Sequence, residues 1–222
     1  MILLSGGMDS ATVAALARAE GYRLYALTFD YGQRHIAEIR AARALARYFG
    51  VDHHLVLSLP LDRIGGSALT DSRIKVPKGR TAAAIGRHIP STYVPGRNTI
   101  FLSVALAWAE VLRADAIFIG ANSLDYSGYP DCRPEYFRAF AKVARLGTRA
   151  GTEKKHPIQI RAPLISKIKA QIIRLGRRLC VPYHMTISCY DPGRSGRSCG
   201  RCDACLLREK GFREAGPDRP ME

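Results

Sequence analysis

The sequence predicts an α/β fold, an open, mainly parallel, doubly wound sheet with a small metal-held knuckle at its C-terminal end. Three observations carry this expectation. Short apolar runs alternate with helix-period stretches along the first two-thirds of the 222 residues, the pattern of a parallel sheet covered on both faces. A glycine-bearing loop, Ser5-Gly6-Gly7-Met8-Asp9-Ser10, follows the first apolar run and opens the first helix. Four of the six cysteines, Cys189, Cys199, Cys202 and Cys205, cluster near the C-terminus, unlike the spread of a small secreted disulfide framework.

In chain order, Ile2-Leu3-Leu4 reads as a strand stub and residues 10–20 as a helix. Residues 23–29 are a second strand, 37–49 a helix stopped by Gly50, and 53–57 a third strand. Residues 99–112 form an almost wholly apolar helix, expected to be buried, followed by a strand at 116–120 and a helix at 134–146. A short strand at 158–161 and an apolar helix at 167–179 complete the alternation, with Cys180 read as a core thiol inside that helix. In such sheets ligands bind beyond the carboxyl ends of the strands. Two stretches break the pattern. Residues 60–93 are long, polar and glycine-bearing, as expected of a lid or mobile loop. From Tyr183 onward too few apolar residues remain for a separate core, so metal or docking must hold that tail. The expected division is therefore 1–182 for nucleotide binding and catalysis, and 183–222 for a docked zinc-binding segment.

An apolar content of 47% and a charged content of 24% are ordinary for one globular domain. No apolar run reaches membrane-spanning length and no basic-then-apolar leader precedes the first motif, so a cytoplasmic enzyme without a membrane partner is expected. The net charge of +15 suits anionic substrates or nucleic acid. The basic residues, however, are mostly arginine, spread without blocks or interleaved aromatics, so direct nucleic-acid binding is not expected.

Two adjacent glycines let the backbone pass close to an anion, and the free N–H groups of a helix start favour phosphate. A P-loop would need a Gly-Lys-Ser/Thr ending, and no lysine precedes Lys75; a dinucleotide fingerprint would need three spaced glycines. A plain turn capped by Asp9 or Ser10 is the other reading. The loop resembles that of the PP-loop ATP pyrophosphatases, whose Ser-Gly-Gly-x-Asp-Ser signature stands intact here. The resemblance implies ATP bound by Ser5, Gly6, Gly7, Met8, Asp9 and Ser10, with Leu4 before the loop and Ala11, Thr12, Val13 and Ala14 after it. It also implies attack on the α-phosphate with pyrophosphate leaving.

Asp30-Tyr31-Gly32-Gln33-Arg34-His35, with Glu38 one turn on, ends the second strand. His35 and Glu38 read as a surface pair more readily than as a metal site, though at a strand's carboxyl end the group can reach a nucleotide over the glycine loop. In Val94-Pro95-Gly96-Arg97-Asn98-Thr99, Arg97 offers a bidentate fork to a carboxylate or phosphate, while Asn98 or Thr99 can cap the helix. Residues 120–133 are crowded with hydrogen-bonding groups. There Asp125 and Asp131 can meet a heterocycle's N–H donors and Tyr126 or Tyr129 its rings; Cys132 lacks a local histidine and reads as a packed thiol. Cys189, followed after nine residues by Cys199-x-x-Cys202-x-x-Cys205, offers four thiolates without an open position, the donor set of a structural zinc. Arg194, Arg197 and Arg201 would offset the thiolate charge. Disulfides and an iron–sulfur cluster are the alternatives.

Together these segments resemble the 7-cyano-7-deazaguanine synthase family, the PP-loop branch of queuosine precursor synthesis, over nearly the whole chain. That resemblance implies an adenine nucleotide alpha hydrolase-like fold and a ligase joining 7-carboxy-7-deazaguanine and ammonia at the expense of ATP, with Mg2+ accompanying ATP and one structural Zn2+. It implies catalytic roles for Asp9, Ser10, Arg97 and Lys169, the last within the family's Pro-Leu…Lys-Ala stretch at 163–170. Substrate contacts are implied for Arg97, Asp125, Tyr126, Asp131 and Arg133. Positioning and electrostatics are expected to suffice without a general-base dyad, free ammonia is the expected nitrogen source, and homodimerisation is a family expectation. Only Met1–Leu4 precede the loop, where the family has a longer first strand. The rival is a PP-loop enzyme modifying tRNA, a thiolase or lysidine-type ligase, which would use the positive charge. A non-catalytic zinc-knuckle module would consume no ATP.

Overall fold

A computed structural model describes all residues except 82–83, 86–87, 125–128, 154–156, 194–195 and 218–222. Five parallel strands form the sheet: β1 (Ile2–Leu3), β2 (Tyr25–Asp30), β3 (His53–Ser58), β4 (Ala116–Phe118) and β5 (Gln159–Arg161), in the spatial order β3-β2-β1-β4-β5. The order reverses between β1 and β4, which opens a crevice beyond their carboxyl ends.

The central strands β1 and β4 are apolar and buried at every position because both faces are covered, whereas the edge strands β3 and β5 carry polar residues such as His53, Ser58, Gln159 and Arg161. Leu3, Leu27, Phe29 and Ile117 enter one core; Ile2, Leu4, Ala26 and Phe118 enter the other. The first core is closed by α3 (Arg97–Val111) and α4 (Pro134–Gly147), through Leu102, Leu106, Phe137 and Phe140. The second is closed by α1 (Met8–Ala19), α2 (Ala37–Tyr48) and α6 (Lys169–Arg178), through Val13, Leu45, Ile172 and Ile173. A one-turn helix, α5 (Arg149–Thr152), follows α4. Alanines at 11, 14, 15 and 17 bring α1 close to the sheet, whereas α2 divides cleanly, with Arg40 and Arg47 exposed and Ile39, Ala42 and Leu45 buried.

Three expectations are corrected. The apolar helix α3 is not enclosed all round: Thr99, Ser103 and Ala107 are exposed and Val111 is 79% exposed. Cys180 lies just past α6 at a positive φ of 53° and is exposed rather than a core thiol. Within residues 60–93, the part from 67 to 80 is held down at several points rather than free. Ser67, Ala68 and Val76 are buried, Lys78 forms a β-bridge with Cys202, and the Gly79 N–H donates to the Arg201 carbonyl at 2.8 Å. Ion pairs Lys78–Asp191 (2.6 Å) and Arg80–Asp203 rivet that segment to the cysteine-rich tail.

The tail docks in turn. Its helix α7 (Asp203–Ala215) packs along α6, with Phe212 edge-on to Tyr183 at 5.5 Å. Before the cysteines, the Ile187 N–H donates to the Gly6 carbonyl at 3.0 Å, so the tail touches the glycine loop itself.

Candidate active site

The glycine loop turns from β1 into α1 under two steric constraints. Gly6 has φ +85°, and a side chain there would also run into the Glu38 carbonyl oxygen, so only glycine fits between the loop and α2. Gly120, after β4, lies so close to the first turn of α1 that an added Cβ would stand 2.8 Å from the Ser10 nitrogen. Gly7 caps α1 without a side-chain hydrogen bond, and the first-turn N–H groups have no intrahelical acceptor. The loop's hydroxyls hold one another: Ser10 Oγ accepts from the Ser5 N–H (3.2 Å) and the Ser5 hydroxyl (3.1 Å), and donates to the Gly7 carbonyl (3.0 Å). Beside them the Lys169 ammonium, from the first residue of α6, meets both carboxylate oxygens of Asp9 at 2.9 and 3.0 Å. Gly211 of α7 leaves room for its methylenes, since a Cβ there would collide with Lys169.

This loop forms one wall of a cavity of about 230 Å³. Leu4, Ser5, Gly7, Met8, Asp9 and Ser10 line it, as do Arg97, Tyr129 and Lys169. Ala11, Thr12, Val13 and Ala14 do not, because they enter the core beneath; Thr12 donates to the Met8 carbonyl at 2.8 Å and meets the Tyr183 hydroxyl at 2.9 Å.

The opposite wall comes from the end of β2, the start of α2 and the start of α3. The Arg97 guanidinium carbon stands 5.6 Å from the Tyr31 ring centroid and Nη1 donates weakly to its hydroxyl at 3.4 Å. Phe29 and Phe101 stack at 4.0 Å, and Gln33 Oε1 accepts the Tyr31 N–H at 2.7 Å. Glu38 faces the cavity rather than His35, whose Nε2 lies 3.0 Å from the Cys189 carbonyl oxygen. Enclosure pushes the Glu38 carboxyl up to about 7, with Arg97 pulling the other way.

Asp131 is buried, and its carboxylate accepts the Asn98 N–H at 3.0 Å. It therefore caps α3 from another segment, replacing the expected side-chain cap by Asn98 or Thr99. Thr99 pairs with Tyr136 instead. Cys132 is a packed thiol, as expected; burial, with Asp131 beside it, pushes it up to about 12, and the Asn98 amide donates to its sulfur at 3.3 Å. Arg133 is exposed, bonded to the Pro130 carbonyl and Glu135, and does not line the cavity. Asp125 and Tyr126 lie outside the described residues, as does Arg194.

Cys189, Cys199, Cys202 and Cys205 bring their sulfurs within 4.8 Å of one another, with no disulfide among them. Main-chain N–H groups of Cys199, Tyr190 and Cys202 point at the sulfurs of Cys189, Cys202 and Cys199 at 3.2–3.4 Å, the polarity that steadies thiolates. Four convergent sulfur donors and no neighbouring open position fit a closed tetrahedral ion. The knuckle is also part of the cavity: Ile187, Ser188, Tyr190 and Ala204 line it. Nothing in the spacing of the cysteines signalled that role. Asn122, another unforeseen lining residue, sits just past β4, where the strand-end rule would have found it.

The family model described as Queuosine biosynthesis protein QueC matches residues 1–216. A 7-cyano-7-deazaguanine synthase of Anaeromyxobacter dehalogenans (strain 2CP-C) is 58% identical over 222 residues, spanning 100% of this chain and 94% of that protein. Proteins of the same description from Syntrophus aciditrophicus (strain SB) and Pseudomonas putida (strain KT2440) are each 57% identical over 220 residues. They span 99% of this chain and 95% and 96% of their own lengths.

Proposed function

The chain belongs to the QueC family of queuosine biosynthesis proteins, and on that premise we propose that it makes 7-cyano-7-deazaguanine from 7-carboxy-7-deazaguanine, ammonia and ATP. The observation that carries this reading is one cavity with two chemistries on its walls. An anion-binding helix start stands beside the Lys169 ammonium, and the Arg97 fork stands at the start of α3.

A carboxylate cannot expel oxide, so its oxygen must first attack the α-phosphorus of ATP. Main-chain N–H groups at the start of α1, with Ser5 and Ser10, hold the departing pyrophosphate, and Lys169 adds its positive charge while Asp9 fixes its position. Arg97 orients the carboxylate. Ammonia then displaces AMP to give the amide, and a second adenylation, of the amide oxygen, allows loss of AMP to leave the nitrile. Mg2+ bound with ATP would neutralise charge on the leaving phosphates. A Zn2+ held by the four cysteines would be structural, fixing the tail wall of the cavity.

Asp131 contributes by setting the start of α3, and thereby Arg97; substrate contacts by Asp125, Tyr126 and Arg133 rest on the family resemblance alone. The partners in this reading are small molecules in the cytoplasm, with neither nucleic acid nor membrane.

The test incubates the chain with ATP, Mg2+, ammonium and 7-carboxy-7-deazaguanine and looks for the nitrile by mass, with AMP and pyrophosphate released. Absence of the nitrile, together with modification of labelled tRNA under the same conditions, would transfer the chain to the tRNA-modifying class.

A further inference from the structure

We propose that Glu38 is a further catalytic residue of this site, whose carboxylate receives the ammonium ion and removes the proton that blocks its nitrogen from attacking. The inference rests on the synthase reading above and deepens it by assigning the ammonia step. Among the described residues, two carboxylates line the cavity, Asp9 and Glu38. Asp9 is spent on Lys169, with both of its oxygens held. Glu38 has no hydrogen bond or ion pair with any described residue, and the groups that act on it electrostatically are Arg97 and Tyr31 across the cavity.

Its placement is fixed rather than incidental. Glu38 sits in the first turn of α2, and its backbone is the surface on which Gly6 of the phosphate loop rests. The side chain therefore stands beside the place where the activated carboxylate must lie, between the loop and Arg97.

Ammonium in neutral solution is a cation without a free lone pair. Lys169 and Arg97 repel it, and Glu38 is the uncommitted negative group among the described cavity residues. Enclosure also raises this carboxyl to about 7, which brings its proton affinity to the working pH, where proton exchange is most effective.

The step balances. Ammonium gives one proton to the Glu38 carboxylate. The freed nitrogen pair forms the C–N bond at the acyl-adenylate carbon, and the C–O bond to AMP breaks with its electrons leaving on the phosphate. The second surplus nitrogen proton passes to solvent, and Glu38 returns its own to solvent before the next turnover. Nothing is oxidised or reduced.

The experiment compares wild type with Glu38→Gln in three assays: pyrophosphate–ATP exchange with the carboxylate substrate, which needs no ammonia; product formation with ammonium; and hydroxamate formation with hydroxylamine, a nucleophile already unprotonated at neutral pH. The expected result is preserved exchange, preserved hydroxamate formation, and a loss of about 10²-fold or more with ammonium. An unchanged ammonium rate overturns the proposal. Loss of exchange in both Glu38→Gln and Glu38→Asp also overturns it, by placing the residue in ATP binding or folding. A wild-type enzyme that makes no nitrile with ammonium is a separate outcome, which sinks the synthase reading and this inference with it.

Discussion

At the scale of single residues, the pair formed by Asp9 and Lys169 concentrates the consequences. The two side chains are 21% and 7% exposed, so each neutralises a charge that the other could not leave bare. Lys169→Met keeps the packing against Gly211 while removing the ammonium. The expected outcome is a fall in pyrophosphate–ATP exchange on the order of 10²–10³-fold, the effect of deleting one donor to a developing anion. A stability loss of about 2 kcal/mol should accompany it, less than for a fully buried pair because Asp9 keeps some solvent. Exchange at the wild-type rate would reduce Lys169 to a structural counter-ion of the loop. The loop residues are adjacent and legible in the sequence, and Lys169 followed from family resemblance. Their union did not, since 160 residues separate the partners.

At the scale of elements, the tail is the part whose meaning changed most. Spacing alone identified four thiols suited to one ion, and the structure brings all four together. It also makes the cysteine-rich segment a wall of the candidate site, through Ile187 on Gly6 and through Ser188 and Tyr190. Residues 67–80 are clamped to the same knuckle by the Lys78 and Arg80 ion pairs. With a metal ion held by the four cysteines, as proposed, stripping it with a chelator should therefore loosen three elements at once. Hydrogen exchange should show lost protection in α7, at Ile187 and near Lys78, and the KM for ATP should rise. Unchanged protection at Ile187 after metal loss would show that docking on α6 alone holds the tail. The segment from 60 to 93 read as a loop because its apolar residues have no period; their partners are cysteines and backbone far along the chain.

At the scale of the whole molecule, the site imposes a cost on folding. Glu38 has an ordinary value of 4.5 and is raised to about 7 by enclosure. Between these values the folded chain holds the proton more tightly than the unfolded one, so the contribution of this group to stability falls as pH rises through that window. Above pH 7 the fold carries a charged carboxylate in a confined site. The penalty is on the order of 1–3 kcal/mol, discounted because the group still meets the cavity's solvent. Glu38→Gln should accordingly be more stable than wild type at pH 8 and indistinguishable from it at pH 4.5, measured by urea unfolding. Equal stability at both pH values would show that the carboxylate is solvated like any surface acid.

The sequence by itself determined the α/β alternation, the glycine loop that opens the first helix and the spacing of four cysteines suited to one ion. Each of these is written in neighbouring residues, as a period, a steric need for glycine, or a ligand spacing. Tertiary structure alone decided that Asp131 caps α3, that Thr12 belongs to the core, that Lys169 lies on Asp9, and that Glu38 faces Arg97 with no ion pair among the described residues. The physical reason is the topology of a doubly wound sheet. Its order reverses between β1 and β4, so the crevice collects the ends of strands that are remote in sequence. Which of their side chains meet there depends on how the helices pack, and local pattern does not record that.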